Sequence, residues 1–375
     1  MASVNILGCE IFSSLGDLKQ TTKSIRDEKT GISSKAIKAN DKEVKIPYFL
    51  LDQKVEQNQQ DIYNILRDLL QKIIPYIPAE KRVSTALFIG TSLIDWNLVD
   101  AINGCAYEYK KTPYFSQKLS IDSYAKQLSS EFGLGEFTMT INTACTSSAN
   151  ALLEAKNLIN AGVIDYAIVL GIEIFSPVMS SGFYTMELVS DTMPKPFATN
   201  RDGLVLGEAV AGMVLGKEKT AWTLEGGFSN CNSQTITSVS SSGDECVEVM
   251  QKALENSSLH VEDITALKAH ATGSNSNDEA EMNAIRKVFD SSLIFTALKP
   301  YIGHTIGASG VLEISMMISA IDDGFLPKTL FCQKSLSQDF IPISEHKKCN
   351  NGIFMCNYFG FGGNNTSLII KKELL

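Results

Sequence analysis

The stretch from Phe137 to Leu170 constrains the fold of this chain more than any other. Phe137–Ile141 is a short apolar run that reads as a strand. A helical pattern follows from about Thr146 to Asn160. Ala149, Leu152, Leu153 and Ile159 share one face of it, and Gly162 is its stop. Tyr166–Leu170 is apolar without a break. Strand, helix and strand within about 35 residues make a βαβ unit, which demands a parallel sheet covered on both faces. Other segments repeat the style. Ala86–Ile89, Ile264–Lys268 and Ile294–Leu298 read as strands. Asp278–Phe289 reads as a helix opened by acidic residues that suit its positive end. Gly307–Ile321 reads as a helix with Val311, Ile314, Ile318 and Ile321 on one face. Ile353–Tyr358 and Thr366–Ile370 read as strands joined by a glycine-rich turn. Ser229–Gly243, rich in Ser, Thr and Asn, is expected to be a loop, and residues 16–45, with Lys and Arg among acids, a solvated surface. The chain divides near residue 220, into 1–220 and 221–375.

Composition removes several function classes. A net charge of −9 over 375 residues disfavours nucleic acid as a partner. Eight cysteines without C-x-x-C or zinc spacing argue against a disulfide scaffold and against a metal site. No apolar run reaches the roughly 18 residues of a membrane span, because Glu173, Glu208 and Glu313 interrupt the most apolar strings. The opening MASVNILGCEIFSSLGD lacks the pattern of a signal peptide, so a reducing, cytoplasmic setting is expected.

The chemistry-bearing residues lie after strands. Cys145, in INTACTSSANAL, stands where a strand stops and a helix begins. Free N–H groups and the positive end of the helix dipole there predict a lowered thiol pKa and a nucleophilic thiolate. A small inert core residue is the alternative. Of four histidines, His270 sits in KAHATGSNSND and His304 in LKPYIGHTIGASG, both between a strand and a helix. In parallel sheets such loops form the ligand crevice. Each histidine alone could be structural; two histidines and a cysteine in equivalent places point to one site. In NYFGFGGNNTSL, Gly360, Gly362 and Gly363 make either a hairpin turn or a pliable backbone that offers an amide to an oxyanion. Neither phosphate-binding glycine motif is complete in this chain. Glu313 falls among Val311, Ile314 and Met317, where a carboxylate needs a partner, and Lys299 is the nearest in sequence.

Together these strings resemble the β-ketoacyl-ACP synthases of the thiolase superfamily, the decarboxylating condensing enzymes of fatty-acid and polyketide synthesis. The likeness runs from ILGCEIFSSLGD to GFGGNNTSL and is weakest over residues 16–135. TACTSS is similar to the family's nucleophile motif. HATGSNSND is similar to its first histidine motif, with Ala271 where Gly is usual and Ser274 where Thr is usual. KPYIGHTIGASGVLE is similar to the second, and GFGG to the gating loop. PKPFATNRDGLVLGEA carries Lys195 in place of Arg and Ala198 in place of Asp. The pattern is Cys-His-His, and SGFYTMELVSDTMPKPF and SNSND resemble the aryl-polyene subgroup.

The resemblance implies an α/β, thiolase-like fold of five layers, αβαβα, in two similar halves. The first half would carry the nucleophile and the second both catalytic histidines. It implies no bound cofactor, with substrates carried on the phosphopantetheine of acyl carrier protein (ACP). It also implies a homodimer, or a heterodimer with a paralogous synthase-like subunit. Cys145 would hold the acyl group, and the amides of Cys145 and Phe361 would form the oxyanion hole. His270 and His304 would bond the enolate oxygen when malonyl-ACP loses CO2. Lys299 and Glu313 would orient the loop and tune His304. Phe361 would gate, with Gly360, Gly362 and Gly363, and Thr272 and Ser274 would contact the pantetheine arm. Two other roles use the same residues. Ala271 and Ser274 suggest a non-condensing acyltransferase or malonyl decarboxylase, and the third role is a chain-length-setting partner subunit, which generally lacks the nucleophile. An acidic ACP requires a local basic patch, which the sequence does not locate.

Overall fold

The computed structural model describes residues 3–40, 42–53, 55, 59–92, 122–231 and 241–374. Its central sheet is built twice from one plan. In the first half the strands lie in the order Thr138–Ile141, Thr85–Gly90, Tyr166–Glu173, Ala209–Gly216 and Asn5–Ser13. In the second they lie in the order Phe295–Thr296, Ala266–Lys268, Gly352–Phe359, Asn364–Lys372 and Trp222–Cys231. Numbered along the chain, both halves read third, second, fourth, fifth, first. The two first strands meet at Asn5 and Thr223. Thr85–Gly90 pairs in parallel with both its neighbours, as the βαβ reading requires. Ala266–Lys268 does the same in the second half. The last strand of each half runs antiparallel to the fourth.

Three layers of helices cover and separate these halves. Gln59–Ile73 and Asp122–Phe132 cover the outer face of the first half, packing Leu66, Leu69, Ile73 and Leu128 on Leu87, Ile168 and Val210. Asp244–Ser257 and Asn275–Val288 cover the second, packing Val249, Met250 and Ile285 on Leu267, Phe295 and Ile369. Ser147–Asn160 and Ser309–Asp322 lie between the halves and cross each other. The crossing is close: a Cβ on Gly310 would stand 2.2 Å from Ala149 N. This is the thiolase-like αβαβα stack. Being sandwiched, Ser309–Asp322 is buried on nearly every side, Glu313 included, where one apolar face had been expected.

Other expectations shift. The strand predicted over Ile294–Leu298 is only Phe295–Thr296, because a short helix, Lys299–Ile302, opens with Pro300 and turns the chain. Ser229–Cys231 belongs to a strand rather than a loop, paired with Asn364–Thr366; residues 232–240 of that predicted loop lie outside the described residues. Residues 16–45 are more than a solvated surface. They hold the helix Leu18–Arg26, opened by an Asp17–Gln20 capping box, and most of a hairpin of Ser33–Ala39 with Lys42–Tyr48. Lys38, Lys42 and Lys45 face solvent there while Ile37, Ala39, Ile46 and Tyr48 turn inward. Among the described residues no helix is long and apolar enough to cross a membrane, and no group of ligating side chains could hold a metal ion.

Candidate active site

Cys145 lies just past the strand Thr138–Ile141, in a 3₁₀ turn, Ala144–Thr146, that leads into the central helix. Its side chain is 1% exposed. The Sγ stands 3.1 Å from Nε2 of His304, 159 residues away in sequence. His304 is pinned by its own N–H, which donates to Val205 O at 2.7 Å. Its loop is pinned by Gly307 N–H, which donates to Glu173 Oε2 at 3.0 Å. Ser309 Oγ, 3.4 Å from His304 Nδ1, is also within reach of Thr305 Oγ1. A hydroxyl can donate or accept, so His304 can present either a lone pair or an N–H at Nε2.

His270 follows the strand Ala266–Lys268, and its ring meets that of His304 edge to face with centroids 5.2 Å apart. Its backbone N–H and that of Ala271 each donate to one oxygen of Glu281 at 2.7 Å. Ala271 takes φ +48°, a left-handed conformation that favours glycine and costs another residue about 1–2 kcal/mol. The alanine thus holds a turn for which glycine is the usual residue. Lys299 Nζ lies 3.4 Å from His270 Nδ1. An ammonium can only donate, so it assigns the ring hydrogen of His270 to Nε2.

Lys299 also donates to Glu313 Oε1 at 2.6 Å. The expected pair therefore forms, with two corrections. It touches His270 and not His304, because the short helix Lys299–Ile302 turns Lys299 back toward the first histidine loop. It is also not a pair, since Lys268 takes the other oxygen of Glu313. The three side chains are at most 1% exposed.

The electrostatics follow from dryness. Burial, then the Lys299 charge, hold both imidazoles well below the ordinary 6.5, with Lys268 acting in the same direction. The Cys145 thiol is pushed up to about 11, against the lowering expected from its place at a helix start. Complete burial outweighs the N–H groups of Phe361 and Cys145 that bear on the sulfur. The resting centre is a neutral thiol beside two neutral imidazoles.

Gly360–Gly363 close over the sulfur. Gly360 N–H donates to Asn364 O at 2.7 Å, and Gly362 and Gly363 both take φ +77°. A Cβ on Gly360 would come within 3.3 Å of Cys145 N. Phe361 is half-buried, its ring edge-on to Phe183 at 5.1 Å. Cys145 shares an apolar cluster with Phe183, Leu204, Leu206 and Ile306. Thr272 and Ser274, both buried, approach through their hydroxyls at 3.0 Å. With His270, Phe359 and Phe361 they line a cavity of about 30 Å³, room for a water or two.

The structure thus brings Cys145, His270, His304, Lys299, Glu313, Thr272, Ser274 and the Gly360–Gly363 turn into one region. Sequence reasoning missed Lys268, Glu281, Asp278 and Glu173. Asp278 accepts from the N–H groups of Phe197 and Gly273, at 2.7 and 3.1 Å. Burial pushes Glu281 and Glu173 up to about 7 and Asp278 to about 6. The available signal was an acidic residue between apolar ones on a helix or at a strand end, as Glu281 stands between Ala280 and Met282.

Residues 74–221 match the family described as "Beta-ketoacyl synthase, N-terminal domain", and residues 222–333 match "Beta-ketoacyl synthase, C-terminal domain". A mitochondrial protein of Schizosaccharomyces pombe named as a 3-oxoacyl-[acyl-carrier-protein] synthase is 30% identical over 331 residues, 80% of this chain and 77% of its own length. A ketosynthase from Xenorhabdus doucetiae, solved in complex with its chain length factor, superposes with a TM-score of 0.87 at 22% identity over 99% of this chain and 98% of its own. A ketosynthase solved with a type II polyketide acyl-carrier protein superposes with a TM-score of 0.85 at 17% identity, over 99% of this chain and 100% of the other.

Proposed function

This chain belongs to the β-ketoacyl synthase family and is a condensing acyltransferase of the 3-oxoacyl-[acyl-carrier-protein] synthase type, and we propose that it works through Cys145, His304 and His270. The observation that carries the assignment is the buried contact of 3.1 Å between Cys145 Sγ and His304 Nε2, with a second imidazole locked as an Nε2–H donor beside it.

In the first half-reaction an acyl group passes from the thiol of an ACP-borne pantetheine arm to Cys145. The acyl–sulfur bond to the arm breaks as the one to Cys145 forms. The thiol proton moves through His304 Nε2 to the departing sulfur, which the high thiol pKa makes necessary. Malonyl-ACP then enters and its carbon–carbon bond to the carboxylate breaks. CO2 leaves, and the electron pair spreads onto the thioester oxygen as an enolate. His270 Nε2–H and His304 Nε2–H stabilise that oxygen in a dry cavity, where one such donor is worth about 100- to 1,000-fold in rate. The carbanion attacks the Cys145 thioester. The resulting oxyanion falls between the N–H groups of Cys145 and Phe361, both of which already bear on the sulfur. As the intermediate collapses the acyl–sulfur bond breaks, 3-ketoacyl-ACP leaves, and the Cys145 thiolate takes the Nε2 proton of His304, which is replaced from solvent. Phe361 opens for the chain, and Phe183, Leu204 and Ile306 shelter it from water. Thr272 and Ser274 bond the arm; Ser274 retains the hydroxyl of the usual threonine, so this departure gives no ground for a non-condensing role.

ACP approaches over Arg201 and Lys195. Arg201 caps the carbonyls of Ser274 and Asn275 beside the cavity, and Lys195 pairs with Asp202. A second subunit of the same fold adds to the edge strand Thr138–Ile141, whose residues are all half-buried and which ends four residues before Cys145. A histidine at hydrogen-bond distance from Cys145 sets this chain apart from a partner subunit without a nucleophile.

The test is intact-mass measurement after incubation with acyl-ACP, then addition of malonyl-ACP. One acyl mass on the wild type, none on Cys145→Ala, and 3-ketoacyl-ACP as product are expected. An unlabelled wild type, or free acetyl-ACP as the sole product, overturns the reading.

A further inference from the structure

Glu313 serves two ammonium groups where a buried ion pair needs one. Lys299 is on Oε1 and Lys268 on Oε2. Lys268 also donates to Asn357 O at 2.8 Å, and its Nζ stands 3.7 Å from the centre of the Tyr358 ring. A carboxylate, a carbonyl and an aromatic face together meet all three ammonium hydrogens. The site is built to hold Lys268 charged at 0% exposure. Two ammoniums against one carboxylate leave a surplus of one positive charge in the layer behind the histidines.

We propose that Lys268 is a positioning residue of the catalytic centre: it occupies the far oxygen of Glu313, so that Lys299 stays on His270 Nδ1, and its charge makes the Lys268–Glu313–Lys299 cluster net positive, so that both imidazoles stay neutral in the resting enzyme. This rests on the reading of His270 and His304 as donors to the enolate oxygen. A histidine that became an imidazolium in the resting enzyme could no longer take the thiol proton, and Lys299 could no longer hold His270 in one tautomer. Lys268 and Lys299 face both imidazoles with positive charge, and each imidazole faces the other. The acids around them are Glu313 on the central helix, Glu281 beneath the His270 backbone and Glu173 beneath the His304 loop. Glu281 spends both its oxygens, and Glu173 its Oε2, on N–H and O–H donors outside the rings. The lysines therefore set the sign of the field at the rings.

A charge cycle separates this role from a structural one. Counted formally, with both lysines as ammonium groups, the cluster carries +1 in the wild type, 0 in Lys268→Met, +2 in Glu313→Gln, and +1 again in the double variant; the +2 holds only while Lys299, which burial pulls down and Glu313 holds up, keeps its proton. Two readouts are taken: the acid limb of malonyl-ACP decarboxylation, and NMR titration of ring-labelled histidines, which are only four in this chain. Removing Lys268 is expected to raise the acid limb and the His270 and His304 titrations by about one pH unit, a tenfold change in proton affinity. Glu313→Gln should lower them by a similar amount, and the double variant should return them near the wild-type position. Lys268→Arg should keep the wild-type profile even where its rate falls, which keeps the test decisive if the methionine variant folds poorly. Equal loss of rate at every pH with unmoved histidines would reduce Lys268 to a structural residue, as would a double variant that does not return. The titrations do not depend on turnover. A wild type that never acylates defeats the proposed function while leaving this inference to be judged by the spectra.

Discussion

Replacing Glu281 by alanine tests how the first histidine loop is held. Its two oxygens accept the N–H groups of His270 and Ala271 at 2.7 Å each. The carboxylate is 0% exposed, so Glu281→Ala leaves two buried donors without an acceptor. That costs about 1–3 kcal/mol each, or roughly 4 kcal/mol together. A second effect opposes it. Burial raises the carboxyl from 4.5 to about 7 in the folded protein. A group whose folded pKa is raised contributes stability fully present below 4.5 and lost as pH climbs through about 7. The loss is about 3 kcal/mol for a shift of this size, and alanine does not suffer it. Glu281→Ala is therefore expected to lower unfolding stability by about 3 kcal/mol at pH 5, where part of the contribution is already lost, and by only about 1 kcal/mol at pH 8. Urea unfolding at the two pH values measures the difference. Decarboxylation should fall about 100-fold at both, because a displaced His270 no longer meets the enolate oxygen. A stability gap that widens with pH, or a variant as active as the wild type, would refute the reasoning.

Three further outcomes follow from the geometry. Gly310→Ala places a methyl 2.2 Å from Ala149 N, a backbone atom that cannot step aside; thermal unfolding should show a loss of at least about 3 kcal/mol, and an unchanged melting temperature would contradict the close crossing of the central helices. Gly360→Ala brings a methyl to 3.3 Å from Cys145 N and 3.4 Å from Cys145 Cβ without straining φ; acylation followed by mass should slow about tenfold with little change in melting temperature, and normal acylation would mean that the turn does not sit on the nucleophile. Both histidines titrate well below 6.5, so they stay neutral as pH falls through that value and lose this state only on reaching their lowered pKa; decarboxylation that drops by half at pH 6.5 would show that burial and the lysines do not control them.

Residue pattern alone determined that this is an α/β protein with parallel βαβ units and its chemistry in the loops after strands, while the antiparallel strands that complete the first half were not foreseen. A strand has to bury its apolar face and a helix its apolar stripe, and those demands are local. They place Cys145, His270 and His304 at the carboxyl ends of strands before any coordinate is known. The motifs around them added the family, because small residues are tied to close backbone approach: Gly360 sits against Cys145 N, and Ala271 takes a left-handed turn. What pattern could not decide is anything set by how far a group lies from water. Cys145 is at a helix start, as the sequence says, yet its thiol is less acidic than usual because every side of it is covered. Lys268 ends an apolar strand and gave no sign that its ammonium would turn inward to Glu313, 45 residues further on. Lys299 was paired correctly and its charge does act on His304, but its direct contact is with His270, which the pattern gave no means to foresee. Periodicity reports which face of an element is apolar. Depth, and with it the strength of every charge in this site, comes only from the layers stacked on both sides.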